Sequence, residues 1–470
     1  MDPFSGFPRV SFRGVSAVLP PGWEQQPGTG SMWILAHPPV PAGHFRPNLV
    51  IRAGSNGGAS LLRLSTAGLA ETMATLAPIH VLSVDEWPKV FDRQSGQALP
   101  GRRHRFVYEA DGHTVCVDRW VWVIGAGVLE ATASYALEDH VGQKALFEYL
   151  VDQLEFKDHG ATHVLDWSGF DLVTRSDPMP DFFASEQRRT VVEDLSRISA
   201  EQPYVPAGKV MPDAAVELFQ TLGHRGKLGR FDLAGQQEAV RELLRAELLT
   251  ESGQATAKGK EYLTPYVDPE ARLTLTARRG GEVRNAEVWM GSGRALLLAD
   301  PSFYGTGQAT GREIRLMRDA HLPLALAAWA GVAPAWPLRH APLVIDETRF
   351  DARVASESVP LPHGSDEAVE RLWNASWTSW SITHVEAYAG FRWLHAAEAG
   401  HYSVIPVDGG LRLDAQPSSL VWDAIVRTVH TAATGSQLDL GTDVPSAWLH
   451  ARLPAPDARE SGTGAQTPAH

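Results

Sequence analysis

The sequence predicts a mixed α/β (α+β) protein with mostly antiparallel sheet, and three observations predict it. A meander of strands closed by an apolar helix occurs twice in the last two hundred residues. A separate series of alternating strands, also closed by a helix, fills the first 157 residues. The chain has 470 residues, beyond the length at which one hydrophobic core keeps growing, so more than one domain is expected.

Taken in order, residues 1–157 read as the first domain. Val15-Ser-Ala-Val-Leu is a strand stopped by Pro20-Pro-Gly-Trp, and Met32-Trp-Ile-Leu-Ala and Asn48-Leu-Val-Ile-Arg follow. Leu62, Leu69, Met73 and Leu76 have helical spacing over 61–76. Strands are then expected at 87–91, 103–109 and 114–124, with Asp111-Gly112 as a hairpin turn. Gly125-Ala-Gly turns the chain into Val128-Leu-Glu-Ala-Thr-Ala-Ser, and a helix over 140–154 closes the unit.

Residues 158–208 form a linker with one helix, 181–199, between Pro178, Pro180, Pro203 and Pro206; proline at both ends predicts a semi-rigid spacer. Residues 209–450 form the second domain. It opens with helices through 266 and continues into the repeat. The first copy runs Leu273-Thr-Leu-Thr-Ala, Ala286-Glu-Val-Trp-Met, Arg294-Ala-Leu-Leu-Leu-Ala, Glu313-Ile-Arg-Leu-Met and the helix Leu322-Pro-Leu-Ala-Leu-Ala-Ala-Trp. The second runs Ile382-Thr-His-Val-Glu, Phe391-Arg-Trp-Leu-His, Tyr402-Ser-Val-Ile-Pro-Val, Gly410-Leu-Arg-Leu and the helix Leu420-Val-Trp-Asp-Ala-Ile-Val. The copies share element order rather than letters. Residues 451–470 are Gly-, Ala-, Thr- and Pro-rich and are expected to be a disordered tail.

Composition bounds the function. A net charge of -13 argues against a general nucleic-acid binder. The single cysteine, Cys116, excludes an internal disulfide and a cysteine zinc site, suits a reducing compartment, and reads as a buried strand thiol. No signal-peptide pattern and no membrane-spanning apolar run occur, so a cytoplasmic location without an integral membrane segment is expected.

The motifs of reactive sites are near-misses. Gly305-Thr-Gly-Gln-Ala-Thr-Gly has GxGxxxG spacing and leads into a strand, which leaves a phosphate without a helix N-terminus. In 253–260 one residue too many precedes Gly259-Lys260, and Glu261 replaces the magnesium-binding hydroxyl of a P-loop. His159 and His163 lack the glutamate of a zinc helix, and no Gly-x-Ser-x-Gly elbow occurs. Asp346-Glu347 and Asp366-Glu367 read as helix-start charges. No catalytic residue, cofactor or metal is therefore expected.

What remains is aromatic. Trp373, Trp377 and Trp380 recur at i, i+4 and i+7 along one helix side, as a core stripe or an exposed partner groove. Phe303 and Tyr304, beside the glycine-rich loop, and Trp336, between Pro334 and Pro337, are further candidate protein contacts.

Two resemblances add to this reading. Pro20-Pro-Gly-Trp, Arg46-Pro-Asn-Leu-Val-Ile and Trp122-Val-Ile-Gly-Ala-Gly-Val-Leu-Glu-Ala-Thr-Ala-Ser resemble the PsbP-like fold, in particular actinobacterial LpqN-type proteins. Those are commonly lipoproteins, and this chain is expected to depart from them, since neither a lipobox cysteine nor a signal-peptide pattern is read in it. Residues 209–432 resemble the EspG family, cytosolic chaperones of actinobacterial type VII (ESX) secretion. The opening helices, the Leu248-Leu-Thr-Glu-Ser-Gly-Gln-Ala-Thr-Ala-Lys-Gly turn, Ala286-Glu-Val-Trp-Met-Gly-Ser-Gly-Arg-Ala and the second meander carry this likeness. It implies a pseudo-two-fold domain and a non-catalytic protein that shields an apolar surface of a helical partner, such as a PE/PPE-like secretion substrate. A winged-helix nucleic-acid regulator using residues 235–266 is the alternative. Over 209–266, however, eight basic residues face eight acidic ones, which leaves little attraction for phosphate. An enzyme with a site assembled between the domains is the third possibility.

Overall fold

A computed structural model describes residues 7–12, 14–28, 32–76, 78–91, 98–156, 179–306, 311–356 and 358–435. The tail at 451–470, the histidine pair at 159 and 163, and the centre of the 305–311 loop lie outside them. The fold is α+β, as the sequence predicts, and is built on two large antiparallel sheets.

The first sheet has seven strands, in the order Glu24–Pro27, Met32–Ala36, Asn48–Ser55, Gly127–Ala136, His113–Ile124, Gly101–Ala110 and Ile79–Glu86. Asp111 and Gly112 adopt φ of 49° and 78°, the left-handed pair that a two-residue hairpin with native twist requires. Helix Leu61–Thr75 starts where the Ser60 side chain accepts from Arg63 N, and helix His140–Asp152 packs against the sheet next to Gly127–Ala136.

The sequence reading placed a strand at 87–91 and missed Ile79–Glu86. Only Lys89–Val90 is extended in the expected place, in a separate two-stranded ladder. Ile79–Glu86 hides its alternation because Val81, Leu82, Ser83, Val84 and Asp85 are all buried, with a register shift between Val81 and Ser83. It is an edge strand covered by other parts of the chain, so both of its faces are packed.

The second sheet has ten strands. Its order is Lys209–Met211, Arg312–Arg318, Arg294–Ala299, Glu282–Gly291, Ala271–Arg279, then Thr378–His384, Ala389–His395, His401–Val407, Gly410–Gln416 and Leu343–Ile345. The two halves are topologically alike. Each begins with a short strand that pairs with the last strand of its own meander and so closes an outer edge. Each ends in an apolar helix, Leu322–Trp329 or Ser418–Thr434. The halves join through one antiparallel pair, Ala271–Arg279 with Thr378–His384.

Helices cover both faces unevenly. On one face the two closing helices pack over Leu273, Leu275, Val288, Leu297, Trp380 and Ile382. On the other, helices Asp213–Arg225, Gln237–Arg245 and Ala257–Val267 cover Leu296, Leu298 and Ile314. Helices Glu347–Ala355 and Glu367–Asn374 cover Leu394, Val404 and Leu413. Asp346 and Asp366 cap these last two helices, accepting from Arg349 N and Val369 N at 2.8 Å each, as expected of carboxylates at helix starts.

The connector differs from the sequence reading. Instead of one helix it holds two short ones, Phe182–Arg188 and Ser196–Glu201, broken at Arg189, whose φ is 57°. It also packs as a wedge rather than serving as a spacer: Ala184, Val192 and Glu193 are fully buried. Gln202 grips the edge strand by donating to Val81 O at 2.8 Å and accepting from Val81 N at 2.9 Å.

Candidate functional site

Two regions stand out, one open and one closed. The open region is the centre of the ten-stranded sheet, on the face that carries the two groups of helices. Strand alternation sends Leu273, Leu275 and Ala277 into the core and leaves Arg272, Thr274 and Arg278 exposed between the helical walls. Cross-strand neighbours extend this floor: Thr274 lies opposite Thr383, and Thr276 opposite Ser381 on one side and Asn285 on the other. Thr276 Oγ1 donates to Asn285 Oδ1 at 3.2 Å. The floor is hydroxyl-rich and able to donate or accept hydrogen bonds.

The closed region is the seam between the two sheets. Arg102, Arg103, His104 and Arg105 are four consecutive polar residues, all buried. Each is satisfied. Arg102 Nε donates to both oxygens of Glu193 in the connector, at 2.9 and 3.1 Å. Arg103 reaches Asp85 at 2.6 Å and Glu148 at 2.7 Å. His104 Nε2 is bonded to Ser65 Oγ at 2.7 Å.

Arg105 clasps Asp118 at 2.7 and 3.1 Å and crosses to Asp423 on the last helix at 3.2 Å. Lys144 Nζ donates to the other Asp423 oxygen at 2.5 Å. Ser419, one turn earlier on that helix, donates to Asp85 at 3.1 Å. Burial alone would raise the Asp423 carboxyl, but Lys144 and Arg105, with a hydrogen bond from His140, hold it well below the usual range. Burial draws His140 below its ordinary value despite Asp423.

This network binds surfaces together and offers little chemistry. Its charges are paired and withdrawn from solvent. Burial, helped by Asp118, pushes the neighbouring Cys116 thiol up to about 12, so it stays protonated and is a poor nucleophile. Among the described residues, no three His, Cys, Asp or Glu side chains converge on a metal position. Among them too, no helix is long and apolar enough to cross a membrane.

No protein-family model and no curated protein matches the chain. Solved structures show weak, partial likeness. A Pseudomonas aeruginosa protein of unknown function, described as a putative regulator, covers 31% of this chain and 94% of its own at 12% identity and a TM-score of 0.23. Cyanobacterial PsbP (CyanoP) from Synechocystis sp. PCC 6803 covers 32% and 92% at 11% identity and a TM-score of 0.25. LpqN of Mycobacterium tuberculosis, involved in cell envelope biogenesis, covers 32% and 90% at 12% identity and a TM-score of 0.23.

The aromatic candidates do not form one surface. Trp373 ends a helix, Trp377 lies in the turn after it and Trp380 is on the next strand, so they share no helix side. The i, i+4, i+7 spacing misled because helix Glu367–Asn374 stops before Trp377. All three are buried, at 2%, 2% and 1% exposure, which makes them core and not a partner groove. Each such ring removes on the order of 200 Å² from water, roughly 5 kcal/mol of transfer free energy, which outweighs what a single exposed contact would offer.

Trp336 is also buried and holds an internal partner. Its Nε1 donates to Glu193 O in the connector at 2.6 Å, and the guanidinium groups of Arg102 and Arg188 both lie over its ring. Tyr304 Oη is hydrogen-bonded to His395 Nδ1 at 2.6 Å, and Phe303 lies half-buried under Arg284. These two anchor their loop to the second half of the sheet and to the adjoining strand.

Proposed function

We propose that this chain is a non-catalytic, cytoplasmic binding protein that holds a helical protein partner on the open centre of its ten-stranded sheet, as a chaperone of type VII secretion would. The observation that carries the reading is the uncovered floor of Thr274, Thr276, Asn285, Ser381 and Thr383 between two helical walls. A β-sheet face normally requires cover or a purpose, and this one is lined by short hydroxyl and amide side chains that lose little entropy on contact. In this reading a helical hairpin lies between the walls with its tip against the floor. The paired charges of the buried seam favour binding over catalysis.

The test is co-expression with helical-hairpin proteins encoded beside this gene, followed by size exclusion. Co-elution that is lost in a Thr274→Arg/Thr383→Arg double variant with unchanged melting temperature supports the proposal. Failure to co-elute with any candidate, or co-elution indifferent to the double variant, rejects it.

A further inference from the structure

A cavity of about 410 Å³ lies where the seven-stranded sheet, the connector and the last helix meet. Its volume falls in the range of small-molecule sites, roughly 300–1,000 Å³. Trp87, Trp336 and Leu420 give it apolar walls, and Pro88, Pro100, Pro337 and Pro417 border it as well. Proline fixes its own φ, so much of this lining is set before any ligand arrives. Gln187 fastens the connector to Arg339 in the lining, donating to Arg339 O at 2.6 Å and accepting from Arg339 N at 3.1 Å.

The lining holds many ions, and they cancel. Arg103 is paired with Asp85 at 2.6 Å and with Glu148 at 2.7 Å. Lys144 holds Asp423 at 2.5 Å, and Arg188 holds Glu86 at 2.7 Å. Arg102 is paired at 2.9 Å with Glu193, which stands outside the lining. Arg339 is not free either, and Glu86 is near enough to favour its charge. With Glu193 counted, five cations meet five carboxylates among the described residues. Arg105, which reaches Glu148 and Asp423 from outside the lining, brings Asp118 with it and leaves the balance unchanged.

The hydroxyls are spent too. Thr190 Oγ1 donates to Glu86 at 2.6 Å and Ser419 Oγ to Asp85 at 3.1 Å. Arg188 Nε has no hydrogen-bond partner among the described residues, but it is buried beyond the reach of water and so of a ligand's head group. An ion entering this space would shed its own water and meet no spare countercharge. An uncharged molecule meets no such cost and gains by leaving water for tryptophan, leucine and proline.

We propose that this cavity binds an uncharged, mainly apolar small molecule, seated against Trp87, Trp336 and Leu420. The paired ions frame the ligand and do not anchor it. The site is separate from the open sheet face, and its occupant would touch the seven-stranded sheet, the connector and the second domain at once.

The experiment is a fluorescence titration of the full chain with N-phenyl-1-naphthylamine, an uncharged probe whose emission rises on leaving water. Displacement by 1-decanol, decanoate and decyltrimethylammonium then compares a neutral, an anionic and a cationic head on one apolar chain. The probe is expected to bind, and 1-decanol should displace it at a concentration at least tenfold lower than either ion. Leu420→Trp and Ala415→Phe, which fill the cavity from two sides, should each weaken the probe at least tenfold while the folded melting transition is kept. If one of the two fails to melt cooperatively, the other decides, and the comparison of the three competitors needs no variant. Displacement by either ion as effective as by 1-decanol, probe affinity unchanged in a folded filled variant, or no rise in emission up to the probe's solubility limit overturns the proposal.

Discussion

The Arg105 guanidinium, on the strand next to the edge of the seven-stranded sheet, lies 3.2 Å from the Asp423 carboxylate on the helix that closes the ten-stranded sheet. The two residues are 318 positions apart, and both are buried. Removing the carboxylate leaves Arg105 with Asp118 but strips Lys144 of its short contact. Asp423→Ala should therefore cost about 3–5 kcal/mol, the range for breaking a buried pair from one side. Glu386→Ala, which breaks the exposed pair with Arg272, should cost ~1 kcal/mol or less. Urea denaturation of both variants gives the comparison, and similar small losses would mean the seam contributes little.

Acid should weaken the fold through two histidines. His395 and His401 stack with centroids 4.6 Å apart, and His401 Nε2 donates to Ala333 O at 3.0 Å. Burial holds His401 at about 4 and, with His401 beside it, His395 well below its usual range. In the unfolded chain both titrate near 6.5. As pH falls from about 6.5 towards 4, the unfolded chain takes up protons that the folded chain refuses, so stability falls. The loss from His401 alone is on the order of 3 kcal/mol and levels off below its folded value. His401→Gln should flatten the difference in urea midpoint between pH 7.5 and pH 4.5, and an unchanged slope would exclude His401 as its source.

Trp336→Ala should loosen the connector before it unfolds either sheet. The change removes the bond to Glu193 O and the ring that Arg102 and Arg188 lie over. A loss of about 3–5 kcal/mol is expected from the cavity left behind. Limited proteolysis should then cut within 179–206 at a protease dose that leaves the parent chain whole. Cleavage elsewhere, or none, would contradict the wedge role.

Cys116 should be silent. Its thiol is fully buried, held near 12 and placed 3.5 Å from Tyr135 Oη. Iodoacetamide at pH 8 should label the native chain at least a hundredfold more slowly than the urea-unfolded chain, read by intact mass. Rapid native labelling would mean that the seam opens readily.

Much of the fold was legible because local chemistry agreed with global structure. Asp111-Gly112 and Gly291-Ser-Gly mark their hairpins, and the repeat's element order matches the two halves of the ten-stranded sheet. The failures arose where distant segments supply what the local pattern lacks. Ile79–Glu86 does not alternate because the last helix and Gln202 cover it. The strand expected at 103–109 gave no sign that Arg102, Arg103 and Arg105 pair in the interior, since their carboxylate partners at 85, 118, 148, 193 and 423 are scattered along the sequence. The tryptophans of 373–380 kept helical spacing across a turn and a strand, and spacing cannot register where a helix stops. The open sheet floor was missed because exposed Thr and Ser in alternation look like any solvent face.

The edge-closing strands Lys209–Met211 and Leu343–Ile345 have a consequence for ancestry. Each half of the large sheet is a complete five-stranded unit that needs its twin at one strand only. Two identical copies of such a unit could meet across that strand about a two-fold axis, as a homodimer, before a single gene joined them. Fusion would then have released each copy from the symmetry of the other. One could raise a three-helix roof while its twin bent its closing helix toward a foreign domain and placed Asp423 there.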